Sequence, residues 1–259
     1  MKKTLALLLA ALMALTALMI PAMAETDMEY VKNKGVLVVG ITDFAPMDYK
    51  DENGEWIGFD ADMANAFGEY LGVKVEFVEI DWDNKVLELN GKSIDCVWNG
   101  MTLTDAVKEA METSNAYANN AQVVILPAAK ANDYADVAAL AGLSFAVEAG
   151  SAGEAEIDAL GYAKNSLQSQ ADALLEVKAG TSDAAVIDAL MAAAMVGEGT
   201  DYANLTYTFS LNSEEYGVGF RKGSDLAAAL NEFMAAAYAD GSMMEIAETY
   251  GVQAAIIPQ

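Results

Sequence analysis

The sequence predicts an α/β protein in which strands and crossover helices alternate, and three observations carry that expectation. Short β-branched apolar runs recur along the chain, each followed by a segment with helical spacing. The order strand, helix, strand, helix, strand in the first part of the chain points to a parallel sheet with crossover helices. The chain of 259 residues is 54% hydrophobic, enough apolar material for a large core, which excludes general disorder.

The elements follow in order. Lys2 and Lys3 precede an apolar run from Thr4 to Ile20, Pro21 breaks it, and Ala22-Met23-Ala24 has the small-x-small pattern of a secretory cleavage site. Residues 1–24 therefore read as a cleaved signal peptide, and the absence of a cysteine after the run argues against a lipid anchor. Val36 to Ile41 is a continuous apolar strand. Asp51-Glu52-Asn53-Gly54 is a polar turn, and Gly58-Phe59 opens a helix carrying Met63, Ala66, Phe67, Tyr70 and Leu71, stopped by Gly72. Val73 to Phe77 alternates as a strand, Val86, Leu87 and Leu89 lie on a helix, and Asn90-Gly91 turns into a strand from Ile94 to Trp98. Gln122 to Leu126 is a strand stopped by Pro127, and a second series begins. It reads as a strand at Leu143 to Val147, a helix at Ala152 to Leu160, a helix with Leu174, Leu175 and Val177, and a strand at Ala184 to Ile187. An alanine-rich helix at 189–196, short strands at 207–209 and 218–220, and helices at 224–239 and 242–250 complete the chain, with Ser224 as an N-cap.

Charge and composition remove whole classes of function. Thirty-nine acids against 14 bases give a net charge of -25, which repels nucleic-acid phosphates and anionic lipids. Histidine is absent and Cys96 is the single cysteine, so His-based triads, His/Cys zinc sites and intrachain disulfides are excluded. Neither a metal nor a cofactor is expected. Asn90-Gly91-Lys92-Ser93 ends like a phosphate-binding loop, but Val86 stands where the pattern needs glycine and a strand follows. Gly150-Ser151-Ala152-Gly153 resembles a nucleophile elbow without any histidine to activate it. The acidic turn at 51–54 has its glycine at the wrong offset for a calcium loop.

What remains suits a small ligand. Gly150 to Gly153 joins a strand to a helix, and small residues there bare N–H groups that either receive an anion or simply make the turn. Asn99 to Thr104 follows a buried strand at a sheet edge, where α/β proteins bind ligands. Phe44 and Trp82 are aromatics in loops after strands, each readable as core. Asp188 ends an apolar strand, as a helix cap or as the partner of a ligand ammonium.

Together these segments resemble the family 3 extracellular solute-binding proteins, the receptors of polar amino-acid ABC importers. The resemblance runs through Gly35-Val-Leu-Val-Val-Gly-Ile-Thr42, Phe44-Ala-Pro46, Gly58-Phe-Asp-Ala-Asp62, Gly91-Lys-Ser-Ile-Asp95 and Gly100-Met-Thr-Leu-Thr104. It continues through Val147-Glu-Ala-Gly-Ser151, Asp183-Ala-Ala-Val-Ile-Asp188, Glu215-Tyr-Gly-Val-Gly-Phe-Arg-Lys-Gly223 and Ala239-Asp-Gly241. It implies a two-lobed periplasmic-binding-protein fold of type II, each lobe a mixed, mostly parallel sheet flanked by helices. Residues 25–121 and 217–259 would form lobe 1 and residues 122–216 lobe 2, with hinges near 119–123 and 213–218. By resemblance Phe44 and Trp82 flank the ligand, Gly100 and Thr102 give backbone and hydroxyl contacts, and Ser151 and Ala152 face its α-carboxylate. Asp188 matches the acid that holds its α-ammonium.

The family usually places an arginine after the Gly-x-Thr-x-Thr motif to clamp the α-carboxylate, and Val107 stands there instead. Arg221, beyond the second hinge, is the only arginine in the chain. Either the helix N-terminus and the threonines hold the carboxylate alone, or the ligand lacks one; Glu148, Asp43 and Asp48 tilt the reading towards an amine. The function expected is an exported, monomeric, non-catalytic receptor for an amino acid or related small amine, delivering it to an ABC permease. The alternatives are a dehydratase-like enzyme or a sensory protein on the same scaffold.

Overall fold

The computed structural model describes residues 25–259, so the expected signal peptide lies outside the described residues. Two sheets organise the chain. The first runs, in spatial order, β4 (Lys74–Glu79), β1 (Val36–Ile41), β5 (Cys96–Thr102), β13 (Glu214–Phe220) and β6 (Glu112–Thr113), with β7 (Ala118–Asn120) also paired to β13. The second runs β10 (Ala163–Leu167), β9 (Ser144–Glu148), β11 (Ala184–Asp188), β8 (Gln122–Pro127) and β12 (Leu205–Ser210). A small hairpin, β2 (Tyr49–Lys50) and β3 (Trp56–Ile57), holds the Asp51 turn, whose carboxylate accepts from the N–H groups of Asn53 and Glu55.

The chain changes sheet twice, between Asn120 and Gln122 and again between Ser210 and Glu214. Both sheets are mixed for that reason. β1 lies parallel to β4 and β5, and β9 parallel to β10 and β11, with helices carrying the crossovers. The antiparallel pairs all involve β8 or β13, the strands that follow a change of sheet, apart from the small hairpin.

Local sequence explains the flanking helices. α1 (Asp27–Lys34) starts on a capping box, with Thr26 and Glu29 each accepting the other's backbone N–H, and ends on left-handed Gly35. α2 (Phe59–Leu71) buries Phe59, Met63 and Phe67 on one face; Phe67 meets Trp98 at 6.3 Å and Phe233 at 5.5 Å between ring centroids. After the 3₁₀ turn at Trp82–Asn84 come α3 (Lys85–Asn90) and, past β5, α4 (Asp105–Ala110). In the second half α5 (Ala152–Leu160) covers one face of β8, β9 and β11, packing Ile157 with Phe145, Val147 and Val186, while α6 (Gln170–Ala179) and α7 (Ala189–Met195) cover the other, packing Leu174, Val177 and Met191 with Ala146, Ala185 and Ile187. α8 (Leu226–Asp240) and α9 (Ser242–Thr249) return to the first half.

Several expectations shift, among them the strand expected at 218–220, which begins at Glu214. The strand expected to stop at Trp98 continues to Thr102, because β13 pairs with it antiparallel, Tyr216 opposite Thr102 and Gly217 opposite Met101. β10 was not expected, since Ala-Lys-Asn-Ser-Leu has no apolar period; it is an edge strand held by five residues of parallel register on β9. Asp225, not Ser224, is the N-cap residue of α8. Cys96 is buried and free, and no helix among the described residues is long and apolar enough to cross a membrane.

Candidate functional site

A cavity of about 280 Å³ lies where the C-terminal ends of β5, β9 and β11 meet the Trp82 turn. Its wall includes Trp82, Lys85, Thr102, Val107, Glu148 and Asp188. The halves touch at it through Lys85 Nζ, which donates to the Gly150 carbonyl at 3.1 Å, and outside it through Gln168 Nε2, which donates to Asp81 Oδ1 at 2.9 Å. A more open, wider mouth continues past Thr102 and Ala152, carrying Asp105, Glu156, Glu214 and Glu215 and no basic residue among those described.

Of the seven residues singled out from sequence, six line the cavity: Trp82, Gly100, Thr102, Ser151, Ala152 and Asp188. Phe44 does not. Its ring is 2% exposed, one layer behind Gly100, edge-on to Tyr216 at 6.3 Å. Gly100 leaves room for that ring: its φ is +56°, and a Cβ there would sit 2.3 Å from Phe44 Cε1.

Several donors on this wall are already engaged. The Gly100 N–H donates to Asp60 Oδ2 at 2.7 Å, and the Thr102 hydroxyl to Glu214 Oε1 at 2.9 Å. Asp188 is ringed by donors: Oδ1 accepts from Tyr216 Oη at 2.7 Å, Gln122 Nε2 at 3.0 Å and Asn120 Nδ2, and Oδ2 from Gln170 Nε2. Asn120 and Gln122 also donate to Glu214 Oε1, so two acids share two amides where the chain changes sheet. Burial first, and then the charge of Glu214, push the Asp188 carboxyl up to about 7. Asp188 starts α7, yet its side chain makes no cap hydrogen bond.

Glu148 is different. It ends β9, is 3% exposed, and its Oε1 has no hydrogen-bond partner among the described residues. Burial, and next the charge of Asp188, push its carboxyl up to about 8, against Gln170, Lys85 and Thr42. An unpartnered buried carboxylate oxygen is costly, and among the acids with one, Glu148 is the residue that lines the cavity. Lys85 is the only basic side chain on the wall among the described residues. It packs over Trp82, 4.7 Å from the ring centroid, and donates to the Trp82 carbonyl at 3.0 Å. Burial lowers its ammonium pKa, opposed by Glu148 and Asp83.

The turn into α5 supplies donors. Ser151 is the N-cap, accepting from the Glu154 N–H at 3.0 Å, while the Ala152 and Gly153 N–H groups have no acceptor among the described residues. Arg221 plays no part here. It is buried elsewhere, paired with Asp27 at 2.9 Å and Asp95 at 3.2 Å and donating to the carbonyls of Leu89 and Ile94. Asp43 is exposed and Asp48 buried, and neither lines the cavity. Sequence reading named Glu148 but missed Lys85, whose signal was a lysine one helical turn from Trp82 on the same face.

Comparison with known proteins adds to this geometry. The family model described as bacterial extracellular solute-binding proteins, family 3, matches residues 37–253. The L-arginine-binding protein of Pseudomonas aeruginosa is 30% identical over 219 residues, 80% of this chain and 84% of that protein. A histidine-bound ABC uptake transporter substrate-binding protein from Streptococcus pneumoniae is 28% identical with a TM-score of 0.79, covering 88% of this chain and 97% of that one. The ancestral amino-acid-binding protein AncCDT-1, a precursor of cyclohexadienyl dehydratase, is also 28% identical with a TM-score of 0.79, over 86% of this chain and 98% of its own.

Proposed function

The chain belongs to the bacterial extracellular solute-binding proteins, family 3, and from that membership we propose that it is the receptor of an ABC importer for an amino acid or related small amine. The observation that carries the ligand class is Glu148: a carboxylate with one oxygen unpartnered, on the wall of a cavity between two half-molecules. A ligand ammonium satisfies that oxygen, and the acidic mouth draws cations towards it. Trp82, Gly100, Thr102, Ser151, Ala152 and Asp188 form the rest of the binding wall in this reading, with Phe44 supporting Gly100 from behind.

We assign residues 25–121 and 217–259 to one lobe and 122–216 to the other. The sheet membership of β7 and β8 supports the first division; β13 starts at Glu214, which favours a second crossing a few residues earlier than 217. Export through residues 1–24, action as a monomer and docking of the closed form on a permease complete the reading. The ligand leaves chemically unchanged. Asp188, the acid that a catalytic reading would need free, is instead held by four donors.

A thermal-shift screen of the twenty amino acids, agmatine, cadaverine, putrescine and glycine betaine tests this reading. A ligand at about 100 times its Kd adds about 2.7 kcal/mol of stability, a shift of several degrees. Nuclear magnetic resonance of the mixture after a day should return the ligand intact. No response to any amino acid or amine, or conversion of the ligand to product, contradicts the proposal.

A further inference from the structure

We propose that Lys85 replaces the missing arginine: it receives the carboxylate of a zwitterionic ligand, so the cavity selects amino acids over their decarboxylated amines. The proposal rests on the receptor reading above and names the ligand class within it.

Val107 and Lys85 line the same cavity, so the wall has lost one cation and holds another. A lysine is expensive to bury, yet Lys85 is 9% exposed with no acid within ion-pair distance. Its ammonium has three N–H groups. Two donate to the carbonyls of Trp82 and Gly150, leaving one without an acceptor among the described residues. The Gly150 contact sets Nζ against the turn into α5, where Ser151 and Ala152 line the same cavity and the Ala152 N–H has no acceptor among the described residues. Lys85 adds a full positive charge to a helix N-terminus whose own first-turn acid, Glu154, is taken up by the Gly150 N–H, Lys164 and Ser166. Glu148 also lines the cavity, and it makes no ion pair with Lys85. A buried cation and a buried carboxylate held apart across one small space complement a molecule that carries both charges. A simple amine satisfies Glu148 and leaves Lys85 unmatched; an amino acid satisfies both.

The test is calorimetric titration of the protein with L-arginine and agmatine, L-lysine and cadaverine, L-histidine and histamine. For the wild type each amino acid that binds should do so at least about tenfold more tightly than its amine. Lys85→Met should bring each pair within about threefold, by weakening the amino acid and sparing the amine. Lys85→Arg should retain the preference. Adding Val107→Arg to Lys85→Met should restore it, which separates lost charge from damaged packing. A preference for amines in the wild type, or one for amino acids that survives Lys85→Met, overturns the Lys85 proposal and leaves the receptor reading standing. Binding of neither member of any pair, with no response in the wider screen, overturns the receptor reading itself.

Discussion

Burial and neighbouring charge raise the Glu148 carboxyl to about 8 and the Asp188 carboxyl to about 7, with Lys85 on the same cavity wall. Two consequences follow at the scale of single residues. A ligand ammonium needs the charged carboxylate, so affinity for L-arginine should rise as pH goes from 6 to 8, with protons released on binding. Titration calorimetry in buffers of different ionisation enthalpy counts those protons, and Glu148→Gln should reduce both the count and the affinity, the latter about 30-fold at pH 8. Stability moves the opposite way. Between the ordinary carboxyl pKa and about 8 the folded protein keeps the Glu148 proton while the unfolded chain has lost it. That contribution is full below about pH 4 and is lost as pH rises through 8. Without ligand, the melting temperature of the wild type relative to Glu148→Gln should therefore fall from pH 5 to pH 8; an equal or rising difference contradicts the assignment.

The elements explain why those side chains meet. β5 extends four residues beyond the expected end because β13 pairs with it, and the extension carries Gly100 and Thr102 to the cavity. Gly100→Ala puts a methyl into Phe44 at a positive φ; it should cost about 1–3 kcal/mol in urea unfolding and weaken ligand binding. Unchanged stability would mean that Phe44 is not packed as described. Much of this level is legible in sequence: the apolar runs at Val36, Gln122 and Ala184 and the helix stop at Gly72 are local signals, and the strands and helix lie there. β10 and the end of β5 are not legible, because their only support is pairing with strands distant in sequence. The cavity wall divides the same way. Ser151 and Asp188 sit at strand-to-helix junctions that sequence marks, whereas Phe44 is displaced by a contact with Gly100 that no local pattern encodes. Lys85 reads as an ordinary helix lysine until Gly150, 65 residues away, is placed against it.

At the scale of the whole molecule, two sheets joined by two chain crossings meet over a cavity that carries Lys85, Glu148 and Asp188 on its wall. Gly150 marks a tight approach of backbone to backbone: a Cβ there would lie 2.8 Å from Asp83 Cα, in the opposite half. Gly150→Ala should leave the circular-dichroism spectrum unchanged and weaken L-arginine binding at least about tenfold. The strain of its positive φ is present with and without ligand, so only hindered closure changes the affinity. Receptor function depends on two halves shutting over a small charged molecule. Small-angle X-ray scattering during a titration with the amino acid that binds most tightly measures that movement directly. The radius of gyration should fall and level off at one molar equivalent in the wild type, and should fall less in Gly150→Ala. A bound ligand that leaves the radius of gyration of the wild type unchanged would contradict the account.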